Sequence, residues 1–144
     1  MSLRAVAIAS DHRGIALKVV LSEALRVRGL EVVDLGPAEE QAVDYPDFAD
    51  ALAHEISSGK VARGVLICGS GIGMSIAANR HREVRAALCH DAATARLSRQ
   101  HNDANVLTLP GATMSDEDAQ TCLSAFLDTS FEGGRHARRV AKLA

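Results

Sequence analysis

Cys68 stands directly before Gly69-Ser70-Gly71-Ile72-Gly73, so a thiol precedes a segment in which every second residue is glycine. A deprotonated thiol is the basic and nucleophilic form of cysteine, and glycines let main-chain N–H groups approach a ligand oxygen closely. The pairing points to base chemistry beside an anion or oxyanion cradle. Read without further context, the same stretch equally fits a buried structural cysteine next to a tight turn. Other polar groups are available: Asp11-His12 between Ser10 and Arg13, His90-Asp91, and His101-Asn102-Asp103. Near the C-terminus Arg135 and Arg139 are four residues apart and share a helix face, where two guanidinium groups can grip one phosphate. A solvated basic tail complementing a helix dipole is the alternative for that pair. Together these groups suit acid–base chemistry on a small phosphorylated, carbonyl-bearing substrate.

Several other chemistries fit poorly. Gly69-x-Gly71-x-Gly73 lacks the GxGxxG spacing of a dinucleotide site and follows a third strand rather than a first, and no Gly-Lys-Ser/Thr follows it. No pair of histidines has metal-ligand spacing, which argues against a metal, and no cofactor motif is present. Cys68, Cys89 and Cys122 are odd in number and lack CxxC spacing, so a disulfide framework and a thiolate zinc site are both disfavoured. The formal net charge of −2 argues against a nucleic-acid or anionic-membrane partner. The apolar run within Met1–Ser10 is too short for a secretory core or a membrane span, so the expected location is cytoplasmic.

The elements that must hold these groups can be read from patterning. With 144 residues the chain forms one domain, residues 1–144. Apolar residues make up 47% and aromatics only 3%, a composition for aliphatic helices packed on a parallel sheet. Strands are expected at Arg4–Ser10, Leu30–Leu35, Gly64–Cys68, Val84–Cys89 and Asn105–Leu109. Helices are expected from Ile15 to Arg28, from Pro46 to Ser57, after the glycine loop, from Ala92 to about Gln100, after a capping Ser115, and from Arg135 to Leu143. The alternation makes an α/β three-layer sandwich around a five-stranded parallel sheet, whose ligands bind at the carboxyl ends of the strands. Asp11-His12, Cys68 with its loop, and His90-Asp91 all follow strands and share that edge. His101-Asn102 ends a helix and precedes a strand, so it belongs at the opposite edge. It is therefore either structural or part of a site in a neighbouring chain.

The motifs Ser10-Asp11-His12, Asp44-Tyr45-Pro46, Cys68-Gly69-Ser70-Gly71-Ile72-Gly73, Ser75-Ile76-Ala77-Ala78-Asn79, Leu97-Ser98-Arg99-Gln100-His101-Asn102-Asp103 and Glu132-Gly133-Gly134-Arg135-His136 occur in this order. The set resembles the type B ribose-5-phosphate isomerase family, which includes galactose-6-phosphate isomerase subunits, and it spans nearly the whole chain. The resemblance implies a Rossmann-like sandwich, assembled as a homodimer or tetramer with active sites built from two subunits, acting without cofactor or metal through an enediolate. It implies that Cys68 is the base moving a proton between C2 and C1. The N–H groups of Gly69, Ser70, Gly71, Ile72 and Gly73 would hold the oxyanion. His101 would be the ring-opening acid, with Asn102 beside it. Asp11 and His12 would bind substrate, and Arg135 and Arg139 its phosphate. Some members use a Glu further along the loop, where this chain has Ser75. The family usually carries a phosphate-binding Arg after the fifth strand, where this chain has Ala112 and Thr113. That departure leaves another sugar phosphate (tetrose, hexose or deoxy-sugar) as the alternative substrate; a non-catalytic phosphate-ligand sensor on the same fold is a separate alternative, which the intact Cys68 and His101 argue against.

Overall fold

The computed structural model describes residues 3–144; Met1 and Ser2, at the head of the N-terminal segment and of the expected domain, lie outside the described residues. In chain order the elements are β1 (Ala5–Ser10), α1 (Ile15–Val27), β2 (Glu31–Asp34), α2 (Tyr45–Ser57), β3 (Arg63–Cys68), α3 (Ile72–Ala78), β4 (Ala86–Leu88), α4 (Ala92–Asn102), β5 (Val106–Pro110), α5 (Asp116–Asp128) and α6 (Arg135–Ala141). The five strands form one sheet in the order β2-β1-β3-β5-β4, and every pairing is parallel. The expected three-layer sandwich is present.

Alternation along β1 divides the core. Val6 and Ile8 pack on one face with Leu17, Leu21 and Leu25 of α1, Ala95 of α4 and Phe126 of α5. Ala5, Ala7 and Ala9 pack on the other face with Leu52 and Ile56 of α2 and Met74 of α3. Each fully buried leucine contributes about 1.5–3 kcal/mol through removal of apolar surface from water. Burial on both faces explains why β1, β3 and β5 read as almost unbroken apolar runs. Among the described residues, no helix is long and apolar enough to cross a membrane.

β1 and β3 are neighbours, yet the chain leaves them toward opposite ends of the sheet. That reversal opens a crevice between the loops at their carboxyl ends, where ligands bind in open α/β sheets.

Most boundaries fall within one residue of those expected, and three elements differ by two. β4 covers Ala86–Leu88 instead of Val84–Cys89, because the Arg85 N–H donates to the Asn105 side chain (2.8 Å) and leaves the ladder. α4 continues through Asn102, so His101 and Asn102 lie in its last turn and not in a link after it. Arg99 holds that end by donating from Nη1 to Asp103 Oδ1 (2.9 Å) and to the Ala104 carbonyl (2.6 Å), while Asp103 takes a left-handed conformation with φ 47°. α6 ends at Ala141, two residues before Leu143. Two side-chain caps form: Asp91 accepts from the Thr94 N–H (2.7 Å), and Ser115, the cap expected from sequence, accepts from the Asp118 N–H (3.1 Å).

Candidate active site

At the carboxyl edge, the turn after β1 is locked from both sides. The Asp11 N–H donates to the Ile67 carbonyl (3.0 Å), and its nearly buried carboxylate accepts the Arg13 N–H (2.9 Å). His12 Nδ1 accepts the Val43 N–H (3.3 Å), which leaves the ring hydrogen of a neutral imidazole on Nε2. Val43 reaches this place because the chain after β2 is tied down. Lys18, buried at 3% exposure, donates from Nζ to Asp34 Oδ1 (2.7 Å) and to the Pro37 carbonyl (2.8 Å). The Ser10 N–H also donates to the Gly36 carbonyl (3.1 Å).

Cys68 ends β3, is 4% exposed, and lies in register with Pro110. The loops after β3 and β5 are joined through Gly111 N–H to Cys68 carbonyl (2.8 Å) and Ala112 N–H to Gly69 carbonyl (3.1 Å). The alternating glycines have a packing reason. A Cβ on Gly69 would come 2.5 Å from Arg13 Nη1, and one on Gly73 would come 2.6 Å from the Tyr45 ring. Gly71 has φ 78°, and its Cβ would meet Leu88 Cδ1 at 2.5 Å and the Leu109 carbonyl carbon at 3.1 Å. Other residues thus occupy the space that three side chains would need. The Ser70 Oγ accepts the Ile72 N–H (3.2 Å), so its own hydroxyl hydrogen is free to donate. Among the described residues, the N–H groups of Gly69, Ser70 and Gly71 donate to no partner. Beside this loop is a cleft of about 310 Å³ lined by Arg13, Gly69, Ser70, His90, Ala112 and Thr113.

His101 and Asn102 are at the other end of the molecule. The chain leaving α4 meets the sheet where the Asn105 carbonyl accepts the N–H of Gly64, early in β3. Cys68 is four residues further along that strand, or roughly 13 Å at a rise of about 3.3 Å per residue. Within one chain, His101 and Cys68 are therefore too far apart to act on the same carbon–oxygen group. α6 packs beside α4 and brings Arg135 and Arg139 to the His101 side. The His101 and His136 rings stack with centroids 4.3 Å apart and planes inclined by 14°. Glu132 Oε1 lies 3.8 Å from His101 Nε2 and 3.9 Å from His136 Nε2, and the Glu132 backbone N–H donates to the Gln100 carbonyl (3.1 Å). Desolvation, and then the neighbouring His101 charge, hold the His136 imidazole below its ordinary pKa.

His101, Glu132 and His136 bring metal-ligand side chains together. Their near-parallel rings aim in-plane lone pairs side by side, whereas a tetrahedral ion needs them to converge, so a metal would have to break the stack. The structure thus sorts the sequence-derived residues into two groups. Asp11, His12, Cys68 and Gly69 through Gly73 lie at the carboxyl edge of the sheet, where Gly69, Ser70 and Ile72 line the cleft, while His101, Asn102, Arg135 and Arg139 lie with α4 and α6. Four neighbours had no role assigned from sequence: Arg13, Tyr45, Glu132 and His136. Only the Glu132–His136 pair carried a local signal, its i,i+4 spacing.

A family model described as Ribose/Galactose Isomerase matches residues 6–143. A putative sugar phosphate isomerase of Rickettsia bellii is 47% identical over 139 residues, covering 96% of each chain. A crystal structure of a ribose 5-phosphate isomerase from Thermotoga maritima superposes with a TM-score of 0.96 at 47% identity, covering 99% of this chain and 98% of that one. Ribose-5-phosphate isomerase B from Mycoplasma genitalium, solved with bound ribulose-5-phosphate, gives a TM-score of 0.92 at 45% identity, covering 96% of this chain and 93% of that one.

Proposed function

The chain belongs to the ribose/galactose isomerase family, and from that premise we propose that it interconverts ribose 5-phosphate and ribulose 5-phosphate through an enediolate, with no cofactor or metal. The observation that carries this proposal is Cys68 at the topological switch point, next to the unpartnered N–H groups of Gly69, Ser70 and Gly71 and to the fixed Asp11-His12 turn. Likeness to a relative solved with ribulose-5-phosphate supports the choice of substrate.

In this scheme the Cys68 side chain takes the proton from C2 of the open aldose and returns it to C1. The hydroxyl proton on O2 passes to O1, so no net proton is consumed. Negative charge grows on the carbonyl oxygen as C2 is deprotonated, and donors fixed in advance stabilise it without reorganising. The loop N–H groups and the Ser70 hydroxyl are such donors. Asp11 and His12 orient the sugar hydroxyls. His101 opens the sugar ring as acid, with Asn102 beside it, and Arg135 and Arg139 bind the phosphate.

The distance across β3 supports drawing these last four residues from a second copy, and we read the working enzyme as a homo-oligomer, dimer or tetramer, and place it in the cytoplasm. Exposed apolar residues border both halves of the site. Ile72 and Ile76 share a face of α3 near Tyr45, and Leu97 lies one turn before His101 on α4. Apolar residues left in water beside two half-sites fit an interface that joins them.

A panel of aldose phosphates tests the substrate: kcat/KM is expected to be highest for ribose 5-phosphate, and Cys68→Ala is expected to abolish exchange of the C2 proton with solvent. Full turnover by Cys68→Ala would remove the assigned base. Preference for a tetrose, hexose or deoxy-sugar phosphate would favour the second reading, which rests on Ala112 and Thr113 standing where a phosphate-binding arginine was expected.

A further inference from the structure

The guanidinium of Arg13 is a cation that, among the described residues, has no ion-pair partner, and it lines the cleft beside the glycine loop. A Cβ on Gly69 would stand 2.5 Å from its Nη1 and 2.9 Å from its Cζ, so the side chain folds across the residue that follows Cys68. Its backbone is held independently of the side chain, through the N–H bond to Asp11 Oδ1 (2.9 Å). The Arg13 carbonyl oxygen also lies 3.4 Å from where a Gly111 Cβ would be, which puts the turn against the loop after β5. Apart from Arg13 and His90, the residues lining the cleft are uncharged. A lone guanidinium among uncharged walls in a concavity raises the local concentration of anions, and its planar fork suits phosphate oxygens.

Position 112 is anchored to the same place. The Ala112 N–H donates to the Gly69 carbonyl (3.1 Å), and Ala112 itself is exposed, so a long side chain there has room. Two residues therefore lie beside Gly69, Ala112 through its backbone and Arg13 through its side chain, and of the two only Arg13 carries charge. We infer that Arg13 supplies the phosphate-binding cation on the Cys68 side of the site, in place of an arginine on the loop after β5. The inference rests on the proposed isomerase function and adds a residue to its phosphate site.

The test compares wild type, Arg13→Ala and the double variant Arg13→Ala/Ala112→Arg. Each is assayed with ribose 5-phosphate for kcat and KM and titrated calorimetrically with inorganic phosphate. Removing one charge-assisted contact should raise KM and the phosphate Kd by about tenfold while kcat stays within about twofold. Ala112→Arg should restore both constants. Unchanged KM and Kd in Arg13→Ala would overturn the inference, as would a fall in kcat with KM intact, which would place the cation at the reacting oxygens. A loss that Ala112→Arg fails to repair would also overturn it. A wild type inert toward sugar phosphates would instead strike the isomerase proposal, and the phosphate Kd would still report on Arg13.

Discussion

Mixing two inactive variants gives a direct test of a site shared between subunits. Cys68 and His101 are separated by most of the length of β3, roughly 13 Å from the Gly64 end to Cys68, because α4 delivers its last turn to the amino edge of the sheet. Direct proton transfer needs heavy atoms about 2.6–3.2 Å apart, so no side-chain rotation closes that gap. Cys68→Ala and His101→Ala homodimers should each be inactive, since every site lacks one group. After denaturation and refolding of an equimolar mixture, random pairing makes about half of the dimers heterodimers. In each heterodimer one site combines Cys68 of the His101→Ala subunit with His101 of the Cys68→Ala subunit and is intact. The other site lacks both groups. Half of the dimers with one of two sites working gives about one quarter of wild-type turnover per subunit. Turnover of the ribose 5-phosphate/ribulose 5-phosphate pair, followed by circular dichroism or a coupled assay, measures this. A refolded mixture no more active than its separate components, with heterodimer verified by native mass spectrometry, would refute the shared site.

Two further outcomes follow from the packing of the loop and the core. Gly71→Ala combines a left-handed φ of 78° with a Cβ 3.1 Å from the immovable Leu109 carbonyl carbon. It should cost about 2–5 kcal/mol through backbone strain and overpacking; a melting temperature equal to wild type would contradict that packing. Burial, reinforced by the nearby Cys122, pushes the Cys89 thiol up to about 12, and burial pushes the Cys122 thiol up to about 11. Native protein treated with iodoacetamide near pH 8 should therefore be labelled first at Cys68, more slowly when ribose 5-phosphate is present, and peptide mapping that finds Cys122 modified first would sink the assignment of Cys68 as the reactive thiol.

Much of the scaffold was legible from local pattern. The ends of β1, β3 and β5 coincide with a switch from an apolar run to Asp or Gly, at Ser10-Asp11, Cys68-Gly69 and Pro110-Gly111, because a parallel strand buried on both faces must stop where the chain returns to water. The rule that ligands gather at carboxyl strand ends sorts Asp11 and Cys68 to one edge and His101 to the other from the sequence alone. Boundaries set by side chains from distant elements were not legible. Asn105 truncates β4, and Arg99 extends α4 by securing Asp103 and Ala104, and neither bond leaves a periodic trace in the sequence.

What the sequence determined by itself is the alternation of elements, the edge to which each polar group belongs, and a thiol set before three closely spaced glycines. These follow from hydrophobic period, glycine's backbone freedom and the handedness of βαβ crossovers, all local properties. Only the tertiary structure decided that β5 inserts between β3 and β4, and that Arg13, Leu88 and Tyr45 fill the space left by Gly69, Gly71 and Gly73. The same holds for the stacking of His101 on His136 above Glu132. Each of these contacts joins residues from different elements, and the angle at which helices settle on a twisted sheet sets them. The thiol and its loop were written locally, but the cation beside them was placed by packing.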